Sequence, residues 1–374
     1  MDRLGDKVCC NPTVKLKKGE YYPLIDIEKI APGYKTVRNQ EEIVFNGQSC
    51  TKFEDRDVLF ARITPCLENG KIAMADTNGK CGIGSTELFV FRGIEGISNT
   101  DYVYYLLRMN HIRQLAANSM TGASGRQRAD LNFIKKIKWQ FPVIEQQQKI
   151  ASILTVYDNL IENNNKRIKL LEQMAENLYK EWFVRFRFPN YQNTEFENGI
   201  PKGWKEVRLG EYANISTGKC NREDAEEAGI YPLFDRSQEI KKSNSWIKDC
   251  EAIIVPGEGT SFIPRYYVGK FNLHQRCYCI EPKNKNTGKY IFYSLMLNRI
   301  YFLYVATGAT VPSLRQNNFT SMKIIMPKMS LVKRFDEIIS LLFEQINFLE
   351  KANEKLSKQR DVLLPRLMSG KLEV

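Results

Sequence analysis

The string DYVYYLLRMN at residues 101–110 returns as KYIFYSLMLN at residues 289–298. Working outward from this pair, further matches appear in the same order on both sides. Arg3-Leu4-Gly5-Asp6 returns as Arg208-Leu209-Gly210-Glu211, and Tyr22-Pro23-Leu24-Ile25-Asp26 as Tyr231-Pro232-Leu233-Phe234-Asp235. Thr121-Gly122-Ala123-Ser124 matches Thr307-Gly308-Ala309-Thr310, and Asn132-Phe133 matches Asn318-Phe319 at the same internal distance. Anchors that keep their order while the chain between them diverges mark an internal duplication.

Each copy ends on a strand, a proline and a long helical stretch. After Lys138-Trp139-Gln140-Phe141-Pro142, apolar residues recur at Ile150, Leu154, Tyr157, Ile161, Ile168, Leu171, Ala175, Leu178 and Trp182, with Asn164 in the one polar slot. After Ile324-Ile325-Met326-Pro327 they recur at Val332, Phe335, Ile339, Leu342, Ile346, Leu349, Leu356, Leu363 and Leu367, with Asn353 and Arg360 in seam positions. Spacings that alternate four and three are a heptad seam, and a seam this long suits pairing of the two helices with each other. Setting Asn164 opposite Asn353 in an antiparallel pair brings Trp182 opposite Phe335 and Ile150 opposite Leu367. A polar Asn–Asn layer then fixes the register at some cost in stability.

Composition narrows the class. The chain has 374 residues, 43% of them apolar, and a formal net charge of +12. That is room for two or three cored domains with a surplus of cations that calls for an acidic partner, nucleic acid before a membrane surface. No apolar run is long enough to span a bilayer, and Met1–Asp6 does not read as a signal peptide, so a cytoplasmic location is expected. The nine cysteines have no zinc-type spacing and read as free thiols; alternation in Cys277-Tyr278-Cys279-Ile280 suits a strand with thiols on one face. His111 and His274 are the only histidines, too few for a histidine-based centre. Phosphate-loop, dinucleotide-binding and nucleophile-elbow motifs are missing, and Gly257-Glu258-Gly259 reads as a turn. The chain reads as a binder with no catalytic residue and no metal site.

With these features in place, the chain resembles the specificity subunit of a type I restriction–modification enzyme along essentially its whole length. The junction Phe141-Pro142-Val143-Ile144-Glu145-Gln146-Gln147-Gln148-Lys149-Ile150 carries the resemblance, together with the Thr-Gly-Ala-Ser/Thr loops and the duplicated layout. The second junction, Met326-Pro327-Lys328-Met329-Ser330-Leu331, lacks the Glu-Gln of the first. The resemblance implies target recognition domains that each read one half of a split, asymmetric double-stranded DNA site. It also implies helices that space them and dock methyltransferase subunits, two in number, and through these the motor–nuclease subunits. S-adenosylmethionine, ATP and magnesium are then expected on those partners and no cofactor on this chain.

The expected fold is α+β, a pseudo-two-fold repeat of two similar α/β recognition domains separated by two long antiparallel helices in a coiled coil. Boundaries are expected at 1–143 (first recognition domain), 144–186 (first spacer helix), 187–327 (second recognition domain) and 328–374 (second spacer helix). At ~1.5 Å per residue such a helix spans roughly 50 Å, against a groove repeat of about 34 Å in DNA. Because the first copy begins almost at Arg3, its leading strand should be short or missing, whereas Gly203–Val207 lead into the second.

Four loop clusters combine the phosphate-binding and base-reading residue types. In the first copy they are Arg62, Thr64, Asn69 and Lys71, after a strand at Val58–Ala61, and Ser124, Arg126, Gln127 and Arg128. In the second they are Arg265, His274, Gln275 and Arg276, and Thr310, Arg315 and Gln316. Taken alone, His274 reads more readily as a polar strand residue than as a base reader. The competing reading of the whole chain is a coiled-coil scaffold whose basic charge is incidental. Divergence confined to loops between fixed anchors speaks against it.

Overall fold

The computed structural model describes residues 1–123, 125–308 and 310–373. The chain forms two compact units, one of residues 1–167 with 349 onward, the other of residues 168–348. Each unit therefore holds one copy of the repeat and a portion of both long helices. The first helix, Ile144–Tyr179, continues as one π-helical turn over Lys180–Val184, and the second runs Met329–Met368.

In the first unit, one sheet orders its strands Val8–Cys10, Leu88–Gly93, Val58–Ala61, Ile72–Ala75 and Thr36–Val37; a second has Glu42–Val44, Tyr21–Ile25, Gly82–Gly84 and Thr51–Phe53. In the second unit, a single sheet runs Ala213–Thr217, Cys277–Pro282, Lys248–Pro256, Arg265–Leu273, Tyr231–Phe234 and Lys241–Ser243. The sequence anchors occupy the same places in both. Leu24 and Ile25 pair in parallel with Ile83 and Gly84, as Leu233 and Phe234 do with Asn272 and Leu273. The Arg-Leu-Gly anchors form one-turn helices, Leu4–Lys7 and Leu209–Tyr212, whose fully buried leucines donate to the carbonyls of Ile137 and Met322, each at 2.8 Å. Gly5 lies against Lys135 and Gly210 against Thr320, so close that a Cβ at Gly5 would meet Lys135 at 2.9 Å. The glycine belongs to the anchor for that reason.

The leading strand of the first copy is two residues, Asp2–Arg3 on Lys138–Trp139. That of the second is four, Lys205–Arg208 on Lys323–Met326. The repeat's central helices, Thr100–Arg108 and Gly288–Leu297, are buried along Tyr102–Leu107 and at Tyr290, Ile291, Tyr293 and Leu295. Asn99 caps the first by accepting from Tyr102 N–H at 3.0 Å. Each packs on its own unit's share of the long helices. Ile150, Leu154, Leu364 and Leu367 join the core of the first unit, and Ala175, Trp182, Val332, Phe335 and Ile339 that of the second.

The helices run antiparallel within each unit. In the second, the Trp182 and Phe335 rings lie 6.0 Å apart. In the first, Asn164 Nδ2 donates to Asn353 Oδ1 at 2.9 Å, and Asn353 Nδ2 to Asn165 Oδ1 at 2.9 Å. Beside this layer Arg360 is almost fully buried, its guanidinium paired with the buried Asp158 at 2.5 Å. Tyr105 also donates to Asp158, at 2.5 Å, and burial together with that carboxylate raises the phenol's pKa. Lys35, also buried, donates to Asp101 and Thr155, both at 2.6 Å. These polar contacts tie the first globular copy to both helix portions of its unit, and nothing in the local sequence announced Asp158 or Lys35.

All nine cysteines are free thiols, with Cys277 and Cys279 buried on one strand. Among the described residues no helix is long and apolar enough to cross a membrane, and no group of three or more His, Cys, Asp or Glu is placed to hold a metal ion.

Candidate nucleic-acid interface

The strand registers fix which loop residues correspond between the copies. Arg62 N–H donates to the Glu87 carbonyl at 3.0 Å, as Gly257 N–H does to the Arg276 carbonyl at 2.7 Å. Ala129 N–H reaches the Arg62 carbonyl and Leu314 N–H the Gly257 carbonyl, both at 2.8 Å. Isolated bridges join Ile63 and Thr121 to Arg128, and Glu258 and Thr307 to Ser313. Thus Glu87 corresponds to Arg276, Ile63 to Glu258 and Arg128 to Ser313. One framework of three bridged segments carries different side chains in each copy.

In the first copy the 62–71 segment leaves its strand and folds back on itself, Asn69 N–H to the Pro65 carbonyl at 2.9 Å and Lys71 N–H to the Cys66 carbonyl at 3.0 Å. The Arg62 guanidinium lies 4.7 Å over the Phe89 ring, and its buried Nε has no hydrogen-bond partner among the described residues. Thr64 donates to Glu68 at 2.8 Å, and Lys71 Nζ to the Ile27 carbonyl at 2.9 Å, so both are turned to holding the loop. Asn69 is exposed. Ser124 lies outside the described residues. Arg126 is exposed, Gln127 is half-buried and spends its carbonyl on Thr64 N–H, and Arg128 clasps Glu87 through Nε at 2.9 and 3.0 Å. That hydrogen bond holds the Glu87 carboxyl below its ordinary pKa.

In the second copy, two of the expected residues spend their side chains within the fold, and for His274 that agrees with its reading as a polar strand residue. Arg265 points inward: it donates to the carbonyls of Asp235 at 2.6 Å and Ser237 at 2.9 Å and lies over the Phe234 ring. It acts as a clamp on the 235–237 turn, and burial lowers its pKa. His274 is buried, and its Nδ1 accepts from Arg276 N–H at 3.0 Å. Burial, with Arg236 nearby, lowers the imidazole's pKa. Both side chains bond to backbone groups of the neighbouring loops and so serve the loops' shape.

Gln275 and Arg276 remain on the surface, Gln275 donating to Asn221 at 2.8 Å and Arg276 to Glu258. Thr310 and Arg315 are exposed. Gln316 donates to the Ile215 carbonyl at 2.9 Å. Arg315 is the N-cap residue of a short helix, Gln316–Thr320, as Asp130 is for Leu131–Lys136. It therefore matches Asp130 and not Arg126, so the basic residues of the two pre-helix loops are offset. Arg236, Glu258 and Glu87 were missed. They pair across 18 to 41 residues of sequence, a separation that no local pattern reveals.

This is a duplicated α+β protein whose two copies present loops of exchangeable composition on a shared framework, each copy followed in sequence by a long heptad helix. Residues 9–173 and 201–358 each match the family model for the type I restriction modification DNA specificity domain, and the chain belongs to that family. It is 29% identical over 303 residues to the type I restriction enzyme MjaIX specificity subunit of Methanocaldococcus jannaschii, covering 74% of this chain and 69% of that one. To the putative MjaX specificity subunit of the same organism it is 25% identical, covering 94% and 84%. The solved type I restriction–modification S subunit from M. genitalium shares its fold, with a TM-score of 0.57 at 17% identity, covering 98% of this chain and 95% of that one.

Proposed function

We propose that this chain is the non-catalytic DNA-specificity subunit of a type I restriction–modification complex, each globular copy reading one half of a bipartite, asymmetric site. The observation that carries this reading is the pair of equivalent loop frameworks with unlike side chains. Arg128 against Glu87 in one copy and Arg276 against Glu258 in the other present different hydrogen-bonding groups from the same scaffold. Two sites built alike and dressed differently suit two different half-sites. Arg62, Asn69, Arg126, Gln127 and Arg128 are the proposed contacts of the first copy, with Thr64 and Lys71 shaping its loop. Gln275, Arg276, Thr310, Arg315 and Gln316 are those of the second.

The long helices supply the docking surface for the methyltransferase subunits, two per chain, and through them for the motor–nuclease subunits. Leu341 and Phe348 support this, large apolar side chains of the second helix that stand 62% and 73% exposed. S-adenosylmethionine, ATP and magnesium belong in this reading to the partners.

Co-expression with a methyltransferase subunit and genome-wide mapping of methylated adenines tests the proposal. One split motif with unlike halves around a fixed unread gap is the expected result. A complex that forms but methylates no such motif would leave a scaffold role instead.

A further inference from the structure

In the second copy three separate loops converge on one carboxylate. Arg236 follows the strand Tyr231–Phe234, Glu258 follows Lys248–Pro256, and Arg276 precedes Cys277–Pro282. Arg236 Nη1 donates to Glu258 Oε2 at 2.6 Å and Arg276 Nη1 donates to Oε1. The carboxylate is only 14% exposed, while the arginine side chains are 48% and 56% exposed. The loops behind them are locked. Arg265 grips the carbonyls of Asp235 and Ser237 on either side of Arg236, and the Asp235 carboxylate accepts from Ser237 N–H at 2.8 Å and Lys241 at 2.7 Å. Gly259 N–H to the Pro312 carbonyl at 3.1 Å ties the Glu258 loop to the segment before the last short helix.

We infer that Arg236 and Arg276 form a braced pair of guanidinium forks that read guanine edges in the half-site of the second copy, with Glu258 as their positioning residue. The inference rests on the DNA-reading function proposed above and names an arginine, Arg236, that sequence reasoning did not select. A simple phosphate grip has no use for Glu258, because its negative charge weakens attraction to the backbone. Orientation does have a use for it: each arginine spends one Nη1 donor on the carboxylate and keeps its remaining N–H groups at a fixed angle. That is what bidentate contact with guanine O6 and N7 requires. The first copy braces one guanidinium at the corresponding bridge, Arg128 on Glu87, with Ile63 where Glu258 stands. The second copy thus presents two braced forks where the first presents one.

The test uses the full chain in complex with its methyltransferase subunit and a library of duplexes randomised across both half-sites, read by adenine methylation. Arg236→Lys keeps the charge and removes the fork. It should lower discrimination at one G·C pair of one half-site by roughly 5- to 150-fold while leaving the other half-site and the gap unchanged. Glu258→Gln should relax two positions of that same half-site together. The intact first half-site in the same molecules reports that the complex is folded. Unchanged preferences in both variants, or an equal weakening on every sequence, would overturn the inference while the split motif stands. A wild-type complex that selects no split motif overturns the underlying reading, and this inference with it.

Discussion

Asn164 and Asn353, 189 residues apart in sequence, meet through a 2.9 Å hydrogen bond between their side-chain amides, with Asn165 completing the layer. They are polar residues in seams of apolar ones, and in an antiparallel pair only one register brings them together. A heptad shift one way would set Asn164 against Ile346 and Asn353 against Tyr157, and the other way Asn164 against Arg360 and Asn353 against Leu171, so either shift separates the amides, and that cost selects the register. Asn353→Leu should therefore lower the free energy of unfolding in urea by about 1–3 kcal/mol, for amides left without partners. The double change Asn164→Leu with Asn353→Leu should recover most of it. If the double variant is no more stable than the single one, the layer does not set the register.

The buried Asp158–Arg360 pair predicts a sharper effect. Asp158→Ala removes the buried partner of the Arg360 guanidinium, whose side chain is 3% exposed, and leaves it only the half-exposed Asp361 carboxylate at 3.0 Å, so it should cost up to about 3–5 kcal/mol in equilibrium unfolding. Replacing both residues by leucine should cost much less, since no charge is then left unpaired. Equal losses in the two variants would mean that packing and not charge governs the site.

On the DNA side, Arg126 is exposed, with no side-chain partner among the described residues, so its guanidinium is available to a ligand. Arg126→Ala should weaken binding by about 1–3 kcal/mol on sequences with guanine at one position if it reads a base. If it contacts phosphate instead, all sequences should weaken alike and the slope of log K against log salt should flatten by about one. Binding titrations of the complex at several salt concentrations separate these, and a variant indistinguishable from wild type would remove Arg126 from the interface.

Asp235 offers a pH test. Burial opposes its charge, but the Lys241 ammonium and the Ser237 hydroxyl and N–H outweigh it and hold the carboxyl at about 2. A depressed carboxyl stabilises the fold above its unfolded-state value, and that stabilisation is lost as pH falls toward the folded-state one. The stability advantage of wild type over Asp235→Asn should thus be full at pH 6 and shrink between about pH 4 and pH 2. Denaturant midpoints of the two proteins across that range give the answer, and a constant difference would exclude the carboxylate as its source.

The duplication, the two heptad helices and their register were legible in the residues themselves. Each depends on spacing, and spacing is preserved in a one-dimensional string: Arg3-Leu4-Gly5 against Arg208-Leu209-Gly210, or Asn164 counted against Asn353. The strand at Val58–Ala61 and the short leading strand of the first copy were readable for the same reason.

What the string left open is which way a charged side chain turns once its loop has closed. Arg265 and Arg276 are both arginines beside strand ends, yet one grips backbone carbonyls inside the turn and the other stands on the surface beside Glu258. Lys35, Asp158 and Arg360 likewise came together only when residues 100 or more apart were folded against one another. Periodicity records burial along one element. The partner of an ion pair is set by loop closure between elements, and only the tertiary structure decides it.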